Sequence, residues 1–290
     1  MTRPVTHEEV ETFWADGVVC LRGVLPVSLV ASLAEPVDVA LTREQSADLT
    51  SMGRSLAESG HSVLTDRGVG GGRFVSGVDH WRHQPELRDF ALASPLPALV
   101  GMLMRSTVVR LYEDSVLVKE PGALERTVWH QDLGYFHVDA EQLCTTWCPL
   151  DPVTEMTGGM VFARGSHRWG ATFRPNLFVS PTPIPGTVGE SVPDVDALVA
   201  AGEVELVTFA LEPGDVTVHH ARTLHAAGGN RSTDTRRRAV SVRYCGDDAR
   251  VLLRPGAPLK PSRRGLTDGM ALPDDEFPVA WDVRAEDRLW

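Results

Sequence analysis

The chain has 290 residues, 42% of them apolar and 23% charged, the balance of an ordinary globular protein with enough side chains for one large core. A formal net charge of −11 argues against a general nucleic-acid or anionic-membrane surface, and no stretch is read as approaching the roughly 18 apolar residues of a membrane span. Residues 1–11 are polar, without the apolar core of a signal peptide, and Cys20, Cys144, Cys148 and Cys245 form no dense disulfide pattern, so a reduced, cytoplasmic protein is expected.

Thr6 and Glu9 form a Thr-x-x-Glu capping box, and Val10, Phe13 and Trp14 follow at helical spacing. Gly17 stops that helix, and residues 18–21 read as a strand. A second helix is predicted from Pro26. The glycine-rich run 68–72 lacks the Gly-Lys-Ser/Thr ending of a phosphate loop and reads as a flexible connection. Residues 87–104 predict a third helical stretch with Phe90, Leu96, Leu99, Val100 and Leu103 as its buried stripe. Beyond it the period changes. Segments 108–119, 127–135, 143–150, 160–163, 205–211, 215–219 and 238–244 are short, rich in β-branched and aromatic residues, and separated by Gly, Pro, Asn and Asp. That pattern predicts an antiparallel sandwich or barrel. The Pro/Gly/Ser-containing insert 181–193 is placed to cover a pocket.

The sharpest chemical feature is Trp129-His130-Gln131-Asp132. On a strand, residues two apart point to one face, so His130 and Asp132 can reach one metal. A third ligand comes from the cluster containing His219, His220 and His225. Two histidines and one carboxylate on one side of an octahedron form the facial triad of non-haem iron oxygenases, which leaves three positions for a bidentate 2-oxo acid and O2. A second His-x-Asp, His137 and Asp139, runs into a turn, so the first copy is preferred. His219 and His220 face opposite sides of their strand, so at most one points inward. His167 is read as structural, and His137 as either pocket-lining or surface. Cys144 and Cys148 lack the tight turn of a zinc pair and read as core. Phe74 and Trp81 read as pocket wall or ordinary core.

The run from His130 to Phe136 resembles the metal-binding segment of the phytanoyl-CoA dioxygenase family. Four further segments match in order. They are Lys119-Glu120-Pro121-Gly122, Trp147, Gly158-Gly159 with Gly165-Ser166-His167, and a distal group of Gly214-Asp215, Leu224-His225, Asn230-Arg231-Ser232 and Arg237-Arg238-Ala239. The resemblance covers about residues 119–244. It implies a mainly β chain with a double-stranded β-helix (jelly roll, cupin-like) core and flanking N-terminal helices. One domain then spans 1–290, with a mainly helical part to 105, the core over 106–250 and a C-terminal extension over 251–290. It also implies Fe(II) on His130, Asp132 and His225, with 2-oxoglutarate as co-substrate and a small-molecule metabolite as substrate. An arginine holds the distal carboxylate. The Arg-x-Ala spacing favours Arg237, with Arg236 and Arg238 as adjacent alternatives, and Lys119 and Trp147 are expected to line the co-substrate pocket.

The chain departs from the family in carrying Ala226 and Ala227 where Gly-Ser is common, which removes one expected hydrogen bond to the co-substrate. Asp132 stands where related halogenases keep a small residue, so the resemblance implies hydroxylation, with succinate and CO2 as co-products. Two other classes fit the same residues: a metal-dependent isomerase or hydrolase on the same barrel, and a non-catalytic binding protein.

Overall fold

A computed structural model describes residues 3–286. The capping box opens α1 (His7–Asp16): Thr6 Oγ1 accepts from the Glu9 amide at 3.2 Å and the Glu9 carboxylate accepts from the Thr6 amide at 2.8 Å. Gly17 closes α1 at φ 79°. Then come β1 (Val18–Leu21), α2 (Val27–Ser32), α3 (Ala34–Ala40), β2 (Ser46–Asp48), α4 (Leu49–Glu58), β3 (Phe74–Val78), α5 (Pro85–Ala93) and α6 (Leu96–Met104). The strand-rich part follows with β4 (Val108–Lys119), β5 (Thr127–His130), β6 (Val138–Asp139), β7 (Leu143–Pro149), β8 (Met160–Ala163), α7 (Val195–Ala200) and β9 (Leu206–Thr208). β10 (Val216–His220), β11 (His225–Ala227), β12 (Arg237–Cys245), β13 (Arg250–Val251), β14 (Val279–Asp282) and α8 (Val283–Glu286) complete it.

The strands make a jelly roll. A major sheet runs β1-β10-β7-β12-β4-β3-β2, with β14 added beside β4, and a minor sheet runs β5-β11-β8-β9. β12 lies antiparallel between β4 and β7. Its alternation sorts two environments. Val240, Val242 and Tyr244 join α5, α6 and the buried Cys144 and Cys148 in the main core. Arg237, Ala239, Ser241 and Arg243 take the other face, where a cavity opens between the sheets.

Several expectations change. The 87–104 stretch is two helices, because Ser94 precedes Pro95 and is held extended at ψ 174°. The run Pro85–Met104 is in fact apolar and long enough to cross a membrane, contrary to the sequence reading. Here Leu87, Phe90, Leu96, Leu99, Val100 and Leu103 are buried against the sheet. The jelly roll also extends beyond 106–250, since β1, β2 and β3 come from the N-terminal part and β14 from the C-terminal extension. The glycine run is more than a connection. A Cβ at Gly72 would meet the Pro121 carbonyl at 2.2 Å, so only glycine lets the two loops touch.

The strand that carries His225 is held from behind. Ser166 Oγ donates to the Ala163 carbonyl at 2.7 Å and accepts from the Leu224 amide at 2.8 Å, while Thr223 Oγ1 donates to the Gly17 carbonyl at 2.7 Å. Ser166→Ala would leave the Leu224 amide buried without its acceptor, at a cost of about 1–3 kcal/mol. Urea unfolding is expected to show that loss with an unchanged m-value.

Asp114, on the helical face of β4, is buried, and burial raises its carboxyl to about 7 against the opposing Trp81 amide hydrogen bond at 3.2 Å. The folded state therefore keeps a proton that the unfolded chain loses near pH 4. Stability from this group is full below that pH and falls as pH rises through about 7. Asp114→Asn is expected to flatten the fall in urea-unfolding stability between about pH 4 and 7, by up to several kcal/mol.

Candidate active site

His130 ends β5 and His225 begins β11, and the two are direct partners across the antiparallel ladder, with ring centroids 4.1 Å apart. Asp132 is not on the strand, as the sequence spacing had suggested. It has helical dihedrals (φ −65°, ψ −37°) and caps a short 3-10 turn over Leu133–Tyr135. The chain's departure from β5, not strand alternation, swings the carboxylate back. Asp132 Oδ1 lies 3.7 Å from His130 Nε2 and 3.8 Å from His225 Nε2. One ligand atom from each of the three residues lies within 4.8 Å of the others, and all three residues are buried.

Their orientations are fixed by neighbours. His130 Nδ1 is 2.8 Å from the Val128 carbonyl and His225 Nδ1 is 3.0 Å from the Thr223 carbonyl. A carbonyl only accepts, so both protons sit on Nδ1 and both Nε2 lone pairs face Asp132. Thr145 Oγ1 donates to Asp132 Oδ2 at 2.5 Å, and His219 Nε2 is 3.4 Å from the same oxygen. Oδ1 is left facing the imidazoles.

Burial pushes the His130 imidazole down to about 3 and that of His225 down to about 4, each helped by a neighbouring imidazole. Burial alone would raise Asp132, but contact with His219 and the fields of His225 and Arg243 outweigh it and hold the carboxyl well below its usual range. Two neutral nitrogens and one carboxylate therefore converge with no proton to displace. That donor set fits a divalent iron bound on one side, with the rest of its coordination sphere facing a cavity.

Three arginines competed for the co-substrate, and their partners separate them. Arg236 pairs with Glu120 and Asp38, each at 2.9 Å, and Arg238 grips Asp151 at 2.9 and 2.7 Å. Arg237 is 1% exposed and lines the cavity that holds the triad. Among the described residues its guanidinium has no hydrogen-bond or ion-pair partner. Its Cζ lies 5.5 Å from the Trp147 ring, and burial pushes it down to about 10.

Trp147 lines the cavity as expected, but Lys119 does not. Its buried Nζ donates to the carbonyls of Glu125 (2.8 Å) and Gly228 (2.6 Å), so the ammonium braces two loops behind Arg237. Of the other histidines, His219 is the inward one. His220 turns away and its Nε2 is 2.9 Å from the Glu141 carbonyl. His167 and His137 sit against the Trp14 and Pro258 carbonyls, and Asp139 pairs with Arg222. Phe74 and Trp81 are core.

The cavity is covered by Phe178, just upstream of the insert 181–193 that was expected to cover it. Sequence reading missed Thr145, Phe178 and Arg243. Thr145 and Arg243 share the strand faces of Trp147 and Arg237, which was the available signal. A larger cavity of about 520 Å³, lined by Trp129 and Arg231, contains none of the triad.

The phytanoyl-CoA dioxygenase (PhyH) family profile matches residues 13–239. The chain belongs to this family. It is 29% identical over 235 residues to the 1-deoxypentalenic acid 11-beta-hydroxylase of Streptomyces arenae, covering 79% of this chain and 76% of that protein. It is 32% identical over 150 residues to the "Probable alpha-ketoglutarate-dependent hypophosphite dioxygenase" of Stutzerimonas stutzeri, covering 50% of this chain and 48% of that one. Among solved structures it resembles the epimerase SnoN from nogalamycin biosynthesis, in complex with Fe3+, alpha ketoglutarate and nogalamycin RO. That match has a TM-score of 0.69 and 26% identity, and covers 94% of this chain and 97% of that one. Family membership brings the activity class with it: an iron- and 2-oxoglutarate-dependent oxygenase acting on a small molecule.

Thr145→Val removes the hydrogen bond that fixes Asp132 Oδ2 and is expected to weaken metal binding about 10–100-fold, with His225→Ala weakening it further. Co(II) titration followed by visible absorption measures both.

Proposed function

We propose that the chain holds Fe(II) on His130, Asp132 and His225, anchors 2-oxoglutarate on Arg237, and hydroxylates a C–H bond of a small biosynthetic metabolite. The observation that carries the reading is the unpartnered guanidinium of Arg237. A buried charge without a counter-ion costs several kcal/mol, and the planar fork of arginine suits a carboxylate. A dicarboxylate with one end on Arg237 supplies that counter-ion and directs its 2-oxo acid end toward the triad.

Iron, when bound, supplies O2 activation coupled to conversion of 2-oxoglutarate to succinate and CO2. The protein's own residues bind, orient and exclude water. The Nδ1 hydrogen bonds keep both imidazoles aimed at the metal position. Leu117, Trp147 and Phe178 form an apolar wall around it. The serine that the family often keeps after the distal histidine has a substitute. Ala227 pairs across the ladder with Thr127, which lines the same cavity and whose hydroxyl makes no hydrogen bond within the described residues. Thr127 Oγ1 restores the hydrogen bond that Ala227 lacks.

The names of the relatives support a natural-product substrate: one is a hydroxylase of 1-deoxypentalenic acid, and SnoN comes from nogalamycin biosynthesis. All four cysteines are unpaired, which supports a reducing cytoplasmic setting in which ferrous iron persists.

Arg237→Met tests the assignment. The variant is expected to bind Fe(II) normally, lose 2-oxoglutarate affinity by at least about 100-fold, and unfold no more easily than the parent, because an uncompensated buried charge is gone. Anaerobic 2-oxoglutarate titration and urea unfolding read these quantities. Retained affinity would move the anchor elsewhere, and substrate turnover without O2 would favour isomerase or hydrolase chemistry.

A further inference from the structure

β12 carries a second arginine on the face of Arg237. Arg243 lies six residues along, so at ~3.3 Å per residue the two Cα atoms stand roughly 20 Å apart. The two side chains therefore enter the space between the sheets near opposite ends of β12. Arg243 is the cross-strand partner of Thr145, whose hydroxyl holds Asp132, so its backbone lies beside the metal position. From there it lines the triad cavity together with Arg237 and also a second cavity, of about 330 Å³, that reaches His130 and Asp132. This outer cavity includes neither Arg237 nor Trp147, so it is the space left for the primary substrate.

Arg243 makes one hydrogen bond, from Nη1 to Ser115 Oγ at 2.6 Å; its Nε is buried without a partner, and no ion pair is formed among the described residues. The acidic groups that feel its field are engaged elsewhere. Glu113, its partner across β4, is held by Lys260. Asp132 belongs to the triad. Asp114 points into the helical core, where it accepts from the Trp81 amide. The rest of the wall is largely apolar, with Leu49, Leu117, Phe136 and Phe178, and the Tyr135 hydroxyl is turned away onto Asn176. A planar cation with no ion pair among the described residues, in a largely apolar pouch, selects an apolar body bearing one carboxylate. A doubly charged phosphate suits it less, because Glu113 and Asp132 flank the Arg243 guanidinium.

We propose that Arg243 is the receptor for a carboxylate on the primary substrate, so that this oxygenase acts on an apolar monocarboxylic acid. The proposal rests on the oxygenase reading above and assigns the anion site that Arg237 leaves open. The carboxylate sits on Arg243 and the hydrocarbon body lies along Leu117 and Phe178, next to the metal position.

Calorimetric titration of the anaerobic Fe(II)·2-oxoglutarate protein tests it. The probes are cyclohexanecarboxylate and adamantane-1-carboxylate, each against its uncharged carboxamide. The parent protein is expected to prefer at least one acid over its amide by about 10-fold or more, the value of a charge-assisted pair. Arg243→Gln abolishes that preference, and Arg243→Lys retains part of it. Urea unfolding shows that both variants fold, and both still bind 2-oxoglutarate, because Arg237 is intact. An absent preference in the parent, including failure of every probe to bind, overturns the proposal, as does a preference that survives Arg243→Gln. Loss of 2-oxoglutarate binding by the parent would instead strike the Arg237 reading, so the two failures are distinguishable.

Discussion

The antiparallel pairing of β5 with β11 sets His130 opposite His225, and the site depends on that register. Side chains alternate along a strand, so a slip of one residue would turn an imidazole out of the barrel. Both strands are short, four and three residues, and cannot hold the register alone. Contacts from outside the sheet supply the constraint. Ser166 ties Leu224 to the end of β8, and Thr223 is tied to Gly17 at the end of α1. Gln131, between the two ligands of the first segment, donates to the Arg222 carbonyl at 2.8 Å and accepts from the Phe173 amide at 3.1 Å. The residue in the middle of the motif thus faces away from the metal and locks the turn that aims Asp132.

Charge is distributed with the same economy. Four imidazole or carboxylate side chains crowd one buried point, and the protein keeps that arrangement tolerable by leaving His130, His219 and His225 neutral and Asp132 ionised. The two cavity-facing arginines then stand on one strand with no carboxylate of their own. Lys119 sits opposite Arg237 in the ladder, yet its ammonium turns onto two carbonyls, so it adds structure without filling the anion site. An interior built this way lacks a counter-ion for either arginine among the described residues, so an anion bound there would add stability.

Much of this was legible in the sequence, for reasons that can be traced to particular residues. Segment 108–119 matches β4 because its β-branched run is long and ends at Glu120-Pro121-Gly122. Residues 18–21 and 160–163 match β1 and β8 for similar reasons. The position of His225 followed from ordered motifs. Other features were hidden. Asp132 converges through a turn that strand alternation does not describe. The split between α5 and α6 was signalled by Pro95 but masked by a continuous apolar pattern. β2, β3 and β14 are short edge or near-edge strands; β3 and β14 pair with β4, and β2 pairs with β3. The choice among Arg236, Arg237 and Arg238 needed the positions of Glu120, Asp38 and Asp151, which are remote in sequence.

Phe178 joins the triad cavity to the outer cavity. It is one of three non-glycine residues with positive φ among the described residues, at 65°, a conformation that costs about 1–3 kcal/mol and persists only where its surroundings impose it. They do so here. The Asn176 side-chain oxygen accepts from the Phe178 amide at 3.0 Å, the Val128 amide donates to the Phe178 carbonyl at 2.9 Å, and Asn176 Nδ2 donates to the Trp129 carbonyl at 2.9 Å. The loop is therefore bonded to the backbone of β5 itself. Its ring rests 5.3 Å from that of His130 and lines both cavities. The strand that carries His130 therefore also positions the wall shared by both cavities, through one short stretch of backbone and not through two independent elements.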